Sequence, residues 1–394
     1  MMLGYLLARA GLAVIVLEKH KDFLRDFRGD TIHPSTLEVM HELGLLDDFL
    51  KLPHQAVDHV GGQVGEEPVR LADFSHLPTR CKFIALMPQW DFLNFLAERG
   101  ARYPGFGLRL QAEVTDLVQE GDRIVGVGGT SPQGAFEVRA DLIIGADGRH
   151  SVVRARAGLA VDDLGAPIDV LWMRLSHKPD DGVETLGRFG AGGLFVMINR
   201  GEYWQCALVI PKGQADEIRR RGLEAFRGRV ARLAPMLRDR LDELKSFDDV
   251  KLLTVTVDRL RQWWRPGLLC IGDAAHAMSP IGGVGINLAI QDAVAAANIL
   301  AEPLRQRAAS ARYLEAVQKR RTFPTRATQR LQLLIQDRLL RPVLMSTTTP
   351  KLPLLARLVR AFPILQRIPA RVIGLGFRPE HVRTEDRGRT TEDR

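Results

Sequence analysis

The stretch best equipped for chemistry is Ile271-Gly272-Asp273-Ala274-Ala275-His276, followed by Pro280-Ile281-Gly282-Gly283-Val284-Gly285-Ile286-Asn287. The apolar run Leu268-Leu269-Cys270-Ile271 reads as a buried strand that delivers Asp273 to the carboxyl edge of a sheet, where open α/β folds bind ligands. A carboxylate there suits a sugar or polyol hydroxyl. The glycines at 282, 283 and 285 let backbone approach a ligand closely, and they open a helix whose N-terminus attracts negative charge. A helix-capping Asp with an irregular turn is the bland alternative, and the glycine spacing argues against it. His276 is expected to support the site rather than react.

Two further stretches belong to the same style. Gly145-Ala146-Asp147-Gly148-Arg149-His150-Ser151-Val152-Val153-Arg154 places a common Asp-Gly turn after a buried strand and before a helix. Glu18 ends the apolar run Ala13–Leu17, where a carboxylate can accept hydrogen bonds from both hydroxyls of a ribose; a surface glutamate before Lys19 is the competing reading. No catalytic nucleophile or acid is assigned, and no metal site is expected. Cys81, Cys206 and Cys270 are far apart and odd in number, which fits reduced thiols in a cytoplasmic protein.

The elements that position these residues follow from periodicity. Residues 3–10 read as a helix ending at Gly11, and the unbroken run after it suits a strand buried on both faces. Helix, glycine, strand and acidic residue form the second half of a βαβ nucleotide-binding unit. Helices are expected over Ser35–Leu45 and Asp91–Glu98, and a hairpin turns at Ser131-Pro132-Gln133-Gly134. After Pro167 the pattern has period two, with Leu171, Met173 and Leu175 alternating with Trp172, Arg174 and Ser176, as in a half-buried antiparallel sheet. The nucleotide-binding style returns at Gly267, with a long Ala-rich helix from Leu288.

The fold class is therefore α/β: a Rossmann-like βαβ domain, an inserted antiparallel sheet that forms the substrate domain, and a helical C-terminus. The expected divisions are 1–166 for the first part of the nucleotide domain, with 60–85 a candidate addition to the substrate sheet, then 167–260 for that sheet. Residues 261–325 complete the nucleotide domain. Residues 326–394 form a helical region whose charged tail, Thr384–Arg387 and Thr391–Arg394, is expected to be disordered.

Composition agrees. The 394 residues are 45% hydrophobic and 26% charged, with 36 Gly and 21 Pro, which excludes a collagen, a disulfide scaffold and wholesale disorder. The net charge of +8 is concentrated at the end, where residues 301–394 hold 20 basic and 8 acidic side chains. Solvated helix faces explain that excess best. No aromatics interleave the basic residues as single-strand recognition requires, so no nucleic-acid partner is expected. Arg357, Arg360, Arg367 and Arg371 beside Leu354, Leu355, Leu358 and Val359 keep membrane-surface contact as a minor alternative. No run approaches the ~18 apolar residues of a membrane span, and Leu12–Leu17 runs into Glu18-Lys19-His20 rather than a signal cleavage site.

Together these residues resemble the class A flavin monooxygenases, the para-hydroxybenzoate hydroxylase family of FAD enzymes, in order over about residues 3–325. The resemblance implies that Asp273, Gly282, Gly283, Gly285, Ile286 and Asn287 meet the ribityl chain and ring of FAD. It implies that Asp147 and Gly148 serve FAD and the reduced nicotinamide, and that Glu18 binds the adenosine ribose. Arg28 falls near the FAD phosphates and Gln89 near the ribityl chain. NADPH or NADH would be the co-substrate, with O2 passing one oxygen to a small aromatic or similarly electron-rich substrate through a flavin hydroperoxide. The sheet residues Trp172, Phe195, Met197 and Trp204 are expected to cover the flavin and line an apolar pocket, with plain core as the competing reading.

The family pattern opens with a strand and Gly-x-Gly-x-x-Gly, and the sequence from Met1 has neither. The difference is roughly a dozen residues, so the chain is expected to be N-terminally truncated relative to the family. Two alternatives stay open: an FAD-dependent dehydrogenase or reductase of a lipid or isoprenoid, and a flavin-free remnant that acts only by binding because the phosphate loop is absent.

Overall fold

The computed structural model describes residues 1–24, 31–182, 185–346, 348 and 354–388. The helix Met2–Arg9 is buried from Met2 to Ala8 and packs on the helices Gln89–Gly100 and Gly285–Arg305. Gly11, at φ +84°, ends it as expected. The strand Val14–Leu17 then pairs in parallel with Phe106–Arg109. The expectation of burial on both faces is corrected here. Ile15 is 46% exposed, so one face of the strand is left open, and among the described residues the strand pairs on one side only.

A second parallel pair carries the two turns of interest. Ile143–Gly145 lies beside Leu268–Cys270, with Gly145 opposite Cys270, and Trp264–Arg265 adds an antiparallel edge. Leu268, Leu269 and Cys270 are fully buried, and burial pushes the Cys270 thiol up to about 12. Because both strands end at the same level, the turns at Asp147 and Asp273 emerge side by side. The hairpin turns where the sequence predicts it, with Ser131 opposite Gly134, and a third strand, Glu113–Glu120, completes its sheet.

The large sheet has seven strands, in the order Lys251–Leu253, Ile168–Ser176, Tyr203–Pro211, Gly193–Asn199, Leu186–Gly190, His59–Val64 and Glu67–Asp73. It is antiparallel except where Gly187–Phe189 runs parallel to Gly62–Val64. Period two is present, and apolar cores lie against both faces while Arg174, Lys251 and Leu252 stay exposed. Leu171, Met173, Leu175, Phe195, Met197 and Trp204 pack against Ile218, Phe226, Val230 and Leu237 of the following helices. Val170, Leu194, Ala207 and Val209 pack against Leu340 and Leu344, with Trp172, Val196 and Ile281 at the margin. Phe195, Met197 and Trp204 are therefore core on the face away from the Gly-rich loop, and only Trp172 of the expected four lies on the near face.

Two boundaries also shift. Asp258–Leu260 pairs with Val161–Asp163 rather than joining the large sheet, and the helix Ala311–Ile335 runs through position 325 without a break. The C-terminal segment is a strap over residues 380–388, which corrects the disordered-tail expectation for Thr384–Arg387. Its hydrogen bonds run from Gln291 and Arg320 at Glu380, through Glu42 at Val382, to Arg9 and Tyr103 at Asp386 and Gly388. Thr391–Arg394 lies outside the described residues. One described stretch, Ile281–Arg305, is long and apolar enough to cross a membrane, and most of it is buried within the protein.

Candidate functional site

The two parallel strands deliver Asp147 and Asp273 to one edge, and Arg149 spans them. Its guanidinium lies 3.8 Å from the Asp273 carboxylate and donates to the Thr254 carbonyl at 3.3 Å. Asp273 sits in the turn Gly272–Ala274 with about a third of its side chain exposed, as a group that meets a ligand must be. Arg154 clamps the two turns from below: it donates to the Arg149 carbonyl at 2.5 Å and the Ala274 carbonyl at 3.4 Å, and it pairs with the buried Asp258 at 3.2 Å.

The Gly-rich loop opens the 21-residue helix Gly285–Arg305, whose first-turn N–H groups lack intrahelical acceptors. Gly282 and Gly283 both have positive φ, and a Cβ on Gly283 would lie 2.3 Å from the Thr31 hydroxyl oxygen. That closeness is used: Thr31 donates to the Gly283 carbonyl at 2.8 Å. Asn287 completes the clasp. Its amide nitrogen donates to the Thr31 and Gly283 carbonyls, and its oxygen accepts from the His33 N–H and the Thr36 hydroxyl. Space is open where a Cβ would sit at Gly285 and at Gly148.

Beneath the loop lies a buried ionic cluster. Asp292 accepts from the Gly272 N–H at 3.0 Å, from Arg321 at 2.8 Å and from His276 Nε2 at 2.5 Å. Arg321 continues to Glu380 of the strap at 3.3 Å. Burial alone would raise the Asp292 carboxyl, but His276 and the Arg321 guanidinium hold it below the usual range. Gly272, the residue before Asp273, is thereby tied to the C-terminal strap. His276 has the supporting place expected of it.

The remaining expected residues divide. Glu18 stands at the end of its strand, where its carboxylate accepts the His20 N–H at 3.0 Å. Gln89 opens its helix after the strand Ile84–Leu86, which pairs with Thr31–Ile32 and so stands next to the loop's clasp. Ile286 is partly buried in the first turn of the long helix. Asp147 is engaged otherwise: its oxygens accept from the Ser151 hydroxyl at 2.5 Å and the Val153 N–H at 3.1 Å, capping the helix Val152–Arg156. The Asn287 side chain is likewise committed to the clasp, whereas Asp147 remains exposed beside its local bonds. Arg28 lies outside the described residues. Thr31, Arg149, Arg154, Asp292, Arg321 and Glu380 were not singled out. Arg149 and Arg154 stand inside the Asp-Gly stretch, which is the sequence signal that points to them; the others are brought in by tertiary contact.

Comparison with known proteins agrees with this geometry. Residues 1–331 match the family model described as "FAD binding domain". The chain is 35% identical over 338 residues to 6-methylpretetramide 4-monooxygenase of Streptomyces rimosus, covering 84% of this chain and 80% of that protein. It is 27% identical over 314 residues to dialkyldecalin synthase of Streptomyces rugosporus, covering 75% and 61%. The fold matches crystalline Pseudomonas aeruginosa PqsL in complex with 2-aminobenzoylacetate with a TM-score of 0.73 and 22% identity, over 87% of this chain and 94% of that one. The chain belongs to the FAD-binding family of class A flavin-dependent aromatic monooxygenases.

Proposed function

We propose that this chain is an NADPH- or NADH-consuming FAD monooxygenase of the cytoplasm that hydroxylates a phenolic, fused-ring small molecule. The observation that carries the reading is the clasped Gly-rich loop at the N-terminus of a long helix, one strand-end away from a partly exposed Asp273. When bound, FAD supplies the redox chemistry that activates O2 after reduction by the nicotinamide.

The chain's own residues then bind, orient and exclude water. Asp273 accepts hydroxyl hydrogens of the ribityl polyol, with Arg149 holding the carboxylate in place. The first-turn N–H groups at Gly285, Ile286 and Asn287, together with the helix dipole, stabilise negative charge brought against them. Open space at Gly148 and Gly285 admits a planar group close to the backbone. Glu18 would hold the adenosine ribose, and Gln89, at the start of its helix, the ribityl chain. The substrate ring packs where the sheet residues Trp172 and Val196 meet the loop residue Ile281, an apolar junction fit for an aromatic ring.

Fused-ring phenols are named as the substrate class because one relative at 35% identity is named for a pretetramide. The test supplies purified chain with FAD, NADPH or NADH, O2 and a panel of hydroxylated polycyclic aromatics. Substrate-dependent oxygen uptake with a product one oxygen heavier is expected. Nicotinamide oxidation without any oxygenated product across the panel would overturn the reading.

A further inference from the structure

Between the Gly-rich loop, the helix Ala311–Ile335 and the turn after Arg367–Gly374 lies a cavity of ≈ 110 Å³. Leu288, Leu331, Ile335 and Ile373 supply apolar walls, and Ile281 and Gly282 close it on the loop side. Gln291, Arg321 and Gln332 also line it, and all three are at least nine-tenths buried. Each keeps one polar atom without a partner: Gln291 Nε2, Arg321 Nη2 and Gln332 Oε1.

The chemistry of those three atoms is fixed by their other bonds. Gln332 donates its amide nitrogen to the Ser279 and Ile281 carbonyls, both at 2.9 Å, so the oxygen is the atom left over. Gln291 uses its oxygen to accept the Glu380 N–H, so its nitrogen is left over. These three atoms therefore offer two donors and one acceptor. Charge is balanced nearby, since Asp292 and Glu380 face Arg321 and Arg320. A balanced cluster gives an anion no advantage. A neutral hydroxyl, which both accepts and donates, uses this lining fully.

We propose that this cavity is a binding site for a neutral phenolic ring, its hydroxyl accepting from Gln291 or Arg321 and donating to Gln332. The volume is of the order of the ~150 Å³ cavity that admits one benzene ring, so the site takes a single ring or the end ring of a longer aromatic. The proposal concerns binding alone and does not rest on the redox reading.

The test is calorimetric titration of the purified chain with phenol and with anisole, which has the ring and the acceptor oxygen but no proton to donate. Phenol is expected to bind and anisole to bind at least about tenfold more weakly, since a site built to pair a hydroxyl rejects analogues that cannot pair it. Gln332→Leu should erase that difference. Because Gln332 also anchors two loop carbonyls, Leu331→Trp is the second variant: it fills the cavity, leaves those bonds in place and should weaken phenol at least about tenfold. The proposal is overturned by equal binding of phenol and anisole, by phenol binding that neither variant weakens, or by no phenol binding at all.

Discussion

His33 is fully buried, donates from Nδ1 to the Ile373 carbonyl at 2.7 Å, and has no partner for Nε2. The carbonyl requires a proton on Nδ1, so Nε2 is the bare nitrogen of a neutral ring. Burial pulls its pKa down to about 4, against the partial opposition of that carbonyl. The unfolded ring binds a proton near 6.5, so between about 4 and 6.5 the unfolded state carries more protons than the folded one. Its contribution is fully present above pH 6.5 and is lost as pH falls toward 4, by about 1.4 kcal/mol per pH unit. Urea unfolding of the parent and of His33→Asn, compared at pH 7 and pH 5, should show a smaller pH loss in the variant. Asp292 is the second decisive residue. Asp292→Asn removes the charge shared by His276 and Arg321, leaving Arg321 only Glu380, and should cost about 3–5 kcal/mol, as breaking one partner of a buried pair does; a change under 1 kcal/mol in the same unfolding assay would show that the cluster is not a structural hub.

At the scale of elements, the loop is held by a two-residue strand, Thr31–Ile32, as well as by Asn287 of its own helix. Gly283→Ala adds a methyl at 2.3 Å from the Thr31 oxygen and demands a positive φ from alanine. It should lower stability by about 1–3 kcal/mol and weaken FAD binding, whereas Gly285→Ala, with open space and helical backbone, should leave stability nearly unchanged; thermal unfolding and flavin titration of the pair would check this. Elements of this kind divide into what local pattern reveals and what it hides. The runs around Leu268–Cys270 and Ile143–Gly145 were legible because continuous apolar residues before an acidic turn have few other uses. The hairpin at Ser131–Gly134 was legible from its turn residues. The Asp292–Arg321–Glu380 cluster was not, since its members are spread over almost ninety residues and each looks like an ordinary charged helix or tail position alone. The strap was missed for the same reason: a charged tail signals solvent unless its partners, Glu42, Arg9 and Tyr103, are known.

Across the whole molecule, period two located the second sheet but not what covers it. Alternation separates two faces; it does not say that the polar-looking face is wet. Here the face carrying Val170, Trp172 and Val209 is closed by Leu340, Leu344 and the loop residue Ile281, which brings the sheet against the Gly-rich edge. That contact makes one functional unit of the two lobes, and the strap fastens its far side through Glu380. The central claim is that the Asp147–Asp273 edge holds FAD. Fluorescence titration of FAD into the purified chain and into Asp273→Ala tests it most directly. Saturable binding by the parent, weakened roughly tenfold or more in Asp273→Ala as loss of a charge-assisted hydrogen bond requires, is the predicted result. Absence of saturable binding, or equal affinity in the two proteins, would contradict it.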